Sequence, residues 1–111
     1  MKIVLSKIGE IGGLGEAGFD GVEVHGAHGY VLAQFLDGEN NRRDDRYGGS
    51  FENRLRFATE ILKAVREELG PGRTLGVRLN AFEEMPGGYD NAAGVNIARS
   101  FEATGLVDYL S

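Results

Sequence analysis

The sequence has 111 residues, which suits one modest domain with its own core. Its 41% hydrophobic and 26% charged residues exclude intrinsic disorder as the dominant state. The net charge of −5 argues against nucleic acid or an anionic membrane as a partner, because both require a basic face. The chain has no cysteine, which excludes disulfides and cysteine-held metal clusters in this segment. No apolar run approaches the ~20 residues of a membrane span, and a cytoplasmic location is expected.

The first fifteen residues give the weakest pattern in the chain. Leu5, Ile8, Ile11 and Leu14 have helical spacing, but each interspersed glycine weakens a helix by about 1 kcal/mol. We expect a poor helix here. The start also lacks the long apolar centre and small-residue cleavage site of a signal peptide.

The segment Gly21–His25 alternates in the manner of a β-strand. Val22 and Val24 fall on one face, and Glu23 and His25 fall on the other. A short helix is expected after it, followed by a long loop over residues 37–49 that is dense in Asn, Arg and Asp. Long ordered loops after the carboxyl ends of strands are where α/β proteins place their chemistry.

The clearest element is a helix predicted over Phe51–Leu69. Its apolar residues follow helical spacing and form one stripe: Phe51, Leu55, Ala58, Leu62, Val65 and Leu69. Ser50 is a natural N-cap, and Gly70 with Pro71 ends the helix.

The rest of the chain repeats the alternation of strand and helix. Strands are predicted over Leu75–Leu79 and Val107–Leu110, and Asp90 caps a helix between them that runs to about Thr104. Strands that alternate with helices imply parallel βαβ units, and hence an α/β sheet or barrel.

Two histidines and a tyrosine form the main candidate site. His25 ends the first strand, and His28 and Tyr30 follow in the next turn, so all three can face one pocket. Imidazoles can donate hydrogen bonds to an oxygen that becomes negative, and a phenol can supply a proton. Zinc is the rival ligand for a His-x-x-His pair, but no third ligand is obvious nearby beyond Glu and Asp. A lone histidine is more often structural, whereas this grouping favours a function.

Arg78 is the second candidate. It lies on the strand face opposite Val77 and Leu79, which in a barrel points it inward, where a charge needs a partner. Glu23 points the same way from the first strand. Two compatible readings remain: a Glu23–Arg78 ion pair, or an Arg78 that holds a negative cofactor group while Glu23 orients it.

The charged loop that precedes the long helix has nearly balanced charges. This predicts a loop with internal salt bridges and not a nucleic-acid patch. Arg54 and Arg56 are candidates to pair with Asp44 or Asp45.

A long and specific motif covers residues 18–57. It includes HGAHGY, QFL, the pattern Asn41, Arg43, Asp45 and Tyr47–Ser50, and then ENR and RF. This region resembles the signature of the old yellow enzyme (NADH:flavin oxidoreductase) family. The resemblance continues through the GVRL strand and the final VDYLS, and only residues 1–15 fall outside it.

The resemblance implies an FMN-dependent ene-reductase built on a TIM (β/α)8 barrel. NAD(P)H would reduce the flavin, which would then deliver hydride to an activated alkene of the enone or enoate type. A whole barrel needs about 250 residues, so residues 1–111 are expected to be a fragment of a single FMN-binding domain with about three of its parallel strands.

The same resemblance implies residue roles. His25 and His28 would hold the oxygen of a small activated alkene, Tyr30 would be the catalytic proton donor, and Arg78 would bind the flavin. No metal is expected. Relatives that carry a second flavin or iron–sulfur domain share much of this signature. The alternative hypothesis is a non-catalytic truncated barrel that associates with itself, as a homo-oligomer, or with a partner through open sheet edges.

Overall fold

The computed structural model of the chain describes residues 13, 16–84, 86 and 88–111. The poor helix predicted at Leu5–Leu14 lies outside the described residues except at Gly13. In the described part, no helix combines the length and the apolar character needed to cross a membrane.

From residue 21 onward, the described residues form three parallel strands and three helices in the order expected from the sequence. The elements are β1 (Gly21–Gly26), α1 (Val31–Leu36), α2 (Phe51–Leu69), β2 (Thr74–Leu79), α3 (Asn91–Ala103) and β3 (Tyr109–Leu110). The strands form one open sheet in the order β1-β2-β3, and both pairings are parallel. The α/β prediction, with about three parallel strands and intervening helices, is confirmed.

Helix α2 has the bounds that its sequence predicts. The Ser50 hydroxyl accepts a hydrogen bond from the Asn53 amide at 3.2 Å, which satisfies one of the free N–H groups of the first turn. Gly70 ends the helix with a φ of 78°, a left-handed conformation that favours glycine. The predicted cap of α3 is also present, since the Asp90 carboxylate accepts from the Ala93 amide at 2.9 Å.

The predicted apolar stripe of α2 is wrong at its first position. Phe51 is 36% exposed, because it is the first residue of the helix, and its ring contacts the half-buried guanidinium of Arg54. Leu55 is half-buried, the later positions of the stripe are buried, and Phe57 and Ile61 are buried in addition. Phe57 stacks on Phe35 of α1 with ring centroids 4.1 Å apart, so α2 is buried against α1 as well as against the sheet.

The core lies on one face of the sheet. Leu75 and Val77 of β2 are fully buried there, and the helices cover them with Leu62, Ile97 and Phe101. The residues between them in sequence face the other way, as the strand alternation predicts. The second face therefore carries the polar side chains of β1 and β2.

Strand β3 begins two residues later than its sequence predicts, at Tyr109 and not at Val107. The reason is the side chain of Asp108, whose carboxylate accepts from the Leu75 amide at 2.8 Å in place of a strand carbonyl. The same carboxylate forms an ion pair with Arg66 at 2.6 Å. Arg66 also donates to the carbonyls of Leu106, Gly70 and Arg73, so one guanidinium joins α2, β2 and the start of β3.

The charged loop between α1 and α2 is organised around buried Asn41. Its side-chain amide donates to the Phe35 carbonyl at 2.8 Å and to the Tyr47 carbonyl at 2.7 Å, and its oxygen accepts from the Arg43 amide. These bonds connect the two ends of the loop. Among the described residues, every buried polar side-chain atom has a hydrogen-bond partner.

The predicted internal ion pair of this loop is confirmed, but the expected partners of two arginines are wrong. Asp45 pairs with Arg43, its neighbour in the loop. Arg54 instead donates to the carbonyls of Leu36 and Gly49, and Arg56 donates to the Arg46 carbonyl. Each of these carbonyl groups lies at a turn and has no hydrogen-bond partner within a helix. The guanidinium groups therefore donate to backbone carbonyls and not to the aspartates.

We expect Asn41→Ala to lower the free energy of unfolding by about 2 kcal/mol, because it removes three hydrogen bonds made by a buried side chain. Asn40→Ala is the matched control, since Asn40 is an exposed neighbour that bonds only to Asp37. Urea denaturation followed by circular dichroism measures both variants. Equal losses in the two variants would contradict the central role of Asn41.

The bonds from the Leu75 amide and from Arg66 hold the pKa of Asp108 below its usual range. A lowered pKa in the folded state adds stability above the unfolded value, about 3.9, and this stability is lost as pH falls through the folded value. Asp108→Asn should therefore be less stable than the wild type at neutral pH. The difference should start to shrink as pH falls below about 4, where the unfolded carboxyl takes up a proton, and should be lost as pH falls through the lower folded value, where the folded carboxyl also becomes neutral. Thermal unfolding at several pH values measures it, and a pH-independent gap would be evidence against this account.

Candidate active site

The three residues of the main candidate site lie together at the carboxyl end of β1. The ring centroids of His25 and His28 are 5.1 Å apart, and those of His25 and Tyr30 are 5.4 Å apart. All three side chains are exposed, and Tyr30 is 63% exposed at the N-cap of α1. Exposed aromatic rings grouped in this way leave their polar atoms available to a ligand.

His28 occupies this position through an uncommon backbone conformation. Its φ is 58°, and it is the only residue other than glycine with a positive φ in the part of the chain that the structure describes. Gly29 follows with a φ of 73°, and the Tyr30 amide closes the turn on the Ala27 carbonyl at 3.4 Å. Two successive left-handed residues reverse the chain, which brings His28 and Tyr30 back beside His25.

The His28 turn is tied to the next strand. Its amide donates to the side-chain oxygen of Asn80 at 3.3 Å. Asn80 follows β2 directly, so the bond joins the loops that leave two neighbouring strands. The residue pattern around Asn80 was not predicted to belong to the site. It could have been, because Asn80 is a polar residue directly after a buried strand, at the edge where α/β proteins place their sites.

Arg78 lies beside His25 in the sheet. The parallel register pairs His25 with Arg78 and Glu23 with Gly76, so His25 and Arg78 share the polar face at the same level. Arg78 is exposed, and its side chain has neither a hydrogen bond nor an ion pair among the described residues. The predicted Glu23–Arg78 ion pair is therefore wrong, because the register puts Arg78 opposite His25 and one level beyond Glu23.

Glu23 has another partner, which the sequence analysis missed. Its carboxylate accepts a hydrogen bond from the Tyr109 hydroxyl at 3.0 Å, and this bond raises the pKa of Tyr109. The Tyr109 ring crosses Gly76 on the way, and a Cβ at position 76 would fall within the ring. Gly76 therefore leaves the space that this contact requires.

No group of three or more His, Asp or Glu side chains in the described residues is arranged to hold a metal ion. The arrangement offers two imidazoles, a phenol and a guanidinium on one face. These are hydrogen-bond donors, a proton source and an anion-binding group.

A sequence model of the NADH:flavin oxidoreductase / NADH oxidase family matches residues 14–105, which is most of the chain. The chain belongs to this family. The resemblance to the old yellow enzymes is thereby confirmed, and members of the family use FMN and NAD(P)H.

Individual relatives agree with this assignment. The chain is 47% identical over 95 residues to 12-oxophytodienoate reductase 2 of Arabidopsis thaliana, an alignment that covers 83% of this chain and 25% of the relative. It is 44% identical over 88 residues to an NADH oxidase of Thermoanaerobacter brockii, covering 79% of this chain and 14% of the relative. This family member therefore matches only part of each longer protein.

Solved structures confirm the fold. Morphinone reductase in complex with tetrahydroNAD matches with a TM-score of 0.79 and 40% identity, covering 96% of this chain and 30% of that chain. Such neighbours are TIM-barrel enzymes, so this family member has the fold of a partial TIM barrel in which the three strands form an open sheet.

Proposed function

We propose that the chain supplies the substrate-binding and proton-donating part of an FMN-dependent NAD(P)H oxidoreductase that reduces activated alkenes. The observation that carries the proposal is the grouping of His25, His28 and Tyr30 on the sheet face that also presents Arg78. Two relatives named above are reductases whose names denote oxo compounds, 12-oxophytodienoate and morphinone. This supports a substrate that carries a carbonyl group.

The imidazoles would bind the carbonyl oxygen of the substrate. When hydride adds to the β-carbon of an enone, negative charge moves to that oxygen, and N–H donors aimed at it stabilise the charge as it develops. The strand ladder holds the backbone of His25, and the turn bonded to Asn80 holds the backbone of His28. The two donors are therefore positioned by different parts of the fold. Donors held in place before the reaction need no reorganisation during it.

Tyr30 would donate the proton from its Oη to the α-carbon. Hydride at the β-carbon and a proton at the α-carbon together saturate the double bond and leave a tyrosinate, which takes a proton from solvent. The exposed phenol of Tyr30 has solvent access for that step. Its ring lies beside His25, so the proton source is next to the group that would hold the carbonyl.

Arg78 fits the isoalloxazine of FMN. A guanidinium on the polar face with no side-chain partner among the described residues suits the electron-rich N1/O2 edge of a flavin, where a cation stabilises the reduced anionic form. FMN, when bound, supplies the hydride that it has received from NAD(P)H. Arg78 would bind the flavin, and its neighbour His25 would bind the substrate.

We expect Tyr30→Phe in the FMN-loaded protein to slow alkene reduction by about 10²-fold or more, the usual contribution of a general acid. Reduction of the flavin by NAD(P)H should keep its rate, because no carbon is protonated in that step. Stopped-flow measurement of the two half-reactions separates them. Tyr47→Phe, which removes a phenol hydroxyl from the charged loop, is the control. Equal slowing of both half-reactions by Tyr30→Phe would rule out the assigned role.

Arg78→Gln should raise the Kd for FMN at least about tenfold, because hydrogen bonds to charged groups contribute about 1.5–3 kcal/mol. It should also make the flavin potential more negative, since the cation beside the reduced flavin is removed. Fluorescence titration and spectroelectrochemistry measure the two effects. Arg99→Gln removes the same charge from the exposed surface of α3 and serves as the control. An unchanged Kd in Arg78→Gln would exclude Arg78 as the flavin ligand.

A further inference from the structure

Asn80 holds three separate parts of the chain together. Its side-chain oxygen accepts from the His28 amide at 3.3 Å, and its side-chain nitrogen donates to Glu83 at 2.8 Å. Its own carbonyl accepts from the Tyr89 hydroxyl at 2.9 Å. We propose that Asn80 is the positioning residue that sets His28 for substrate binding, a role that rests on the function proposed above.

The orientation of the Asn80 amide follows from its neighbours. The carboxylate of Glu83 only accepts hydrogen bonds, so the nitrogen of Asn80 must face it. The oxygen of Asn80 then faces the His28 amide, which only donates. Glu83 therefore determines which end of Asn80 reaches His28, and the two hydrogen bonds depend on each other.

Asn80 is itself fixed by the loop that follows β2. Tyr89 is buried, and burial, with a further effect of the Glu83 charge, raises its pKa to about 12. The phenol stays protonated at physiological pH and continues to donate to the Asn80 carbonyl. The Glu83 amide bonds to the Tyr89 carbonyl at 2.9 Å, which closes this loop at its base. Hydrogen bonds from this loop therefore hold Asn80 beside His28.

His28 needs such an anchor because of its backbone. A positive φ is unfavourable for a residue with a Cβ, and the glycine that follows His28 adds no restraint. The bond from Asn80 favours this conformation over the extended alternatives. Without it, His28 would spend more time away from His25, and the paired imidazole donors would be populated for less of the time.

Three variants test the role: Asn80→Ala, Asn80→Asp, and Asn80→Asp combined with Glu83→Gln. Asn80→Ala removes the acceptor. Asn80→Asp keeps an acceptor oxygen but sets a second carboxylate against Glu83. Adding Glu83→Gln replaces that carboxylate with an amide. The amide nitrogen at position 83 can then donate to one carboxylate oxygen at position 80, and the other oxygen can accept from the His28 amide. Asn96→Ala on the exposed face of α3 is the control.

The first measurement is solvent exchange of the His28 amide by NMR in the flavin-free protein. We expect exchange about three- to tenfold faster in Asn80→Ala, the effect of losing one ordinary hydrogen bond. Asn80→Asp should be similarly affected, and the double variant should return towards the wild type. Unchanged His28 exchange in Asn80→Ala overturns the proposal. An equal rise at the amides of α2 also overturns it, because that marks general unfolding.

The second measurement is alkene reduction by the FMN-loaded protein. Asn80→Ala should raise KM for an enone about three- to tenfold with the rate of flavin reduction unchanged, and the double variant should recover. A fall in the flavin-reduction rate overturns a role specific to His28. If His28 exchange responds as expected but the wild type reduces no alkene, the anchoring of His28 is supported and the proposed function fails.

Discussion

The parallel pairing of β1 with β2 is the constraint on which the candidate site depends. The register sets His25 beside Arg78, and the alternation of the strands turns both to the face that the helices do not cover. A slip of one residue in β1 would turn His25 into the core and Val24 to the open face. The packing of Val22 and Val24 against the helices is therefore also what holds His25 in place.

The contacts that stabilise the fold lie apart from the residues proposed to act. Arg66 and Asp108 join α2, β2 and β3 near the amino ends of the strands, and Asn41 organises the charged loop. The opposite end of the sheet carries the exposed Arg78 guanidinium and the exposed Tyr30 hydroxyl, neither of which has a hydrogen-bond partner in the described part of the chain. Side chains without structural partners can bind a ligand without loss of native contacts.

The sequence predicted the elements and the main site because these follow local rules. The spacing of α2, its cap at Ser50 and the alternation of β1 depend on near neighbours, and the motif around His25 is contiguous. The misplaced features depend on distant pairs. The partner of Glu23 is Tyr109, at the end of the chain, and the partners of Arg54 are backbone carbonyls, which carry no signal in the residue pattern. The residue pattern did not point to Asn80 for the same reason, since its contact is with the distant His28 and not with its sequence neighbours.

The ring of Tyr109 gives the sheet a second kind of linkage. Strand β3 has two residues in its ladder, and the backbone hydrogen bonds of residues 108–111 join it to β2. Tyr109 reaches over β2 to the carboxylate of Glu23 and thereby spans all three strands with one side chain. The Tyr109 ring fills the space above Gly76 that a side chain at position 76 would occupy. A larger residue at one of them must be matched by a smaller residue at the other, or the edge strand loses its tie to the far side of the sheet.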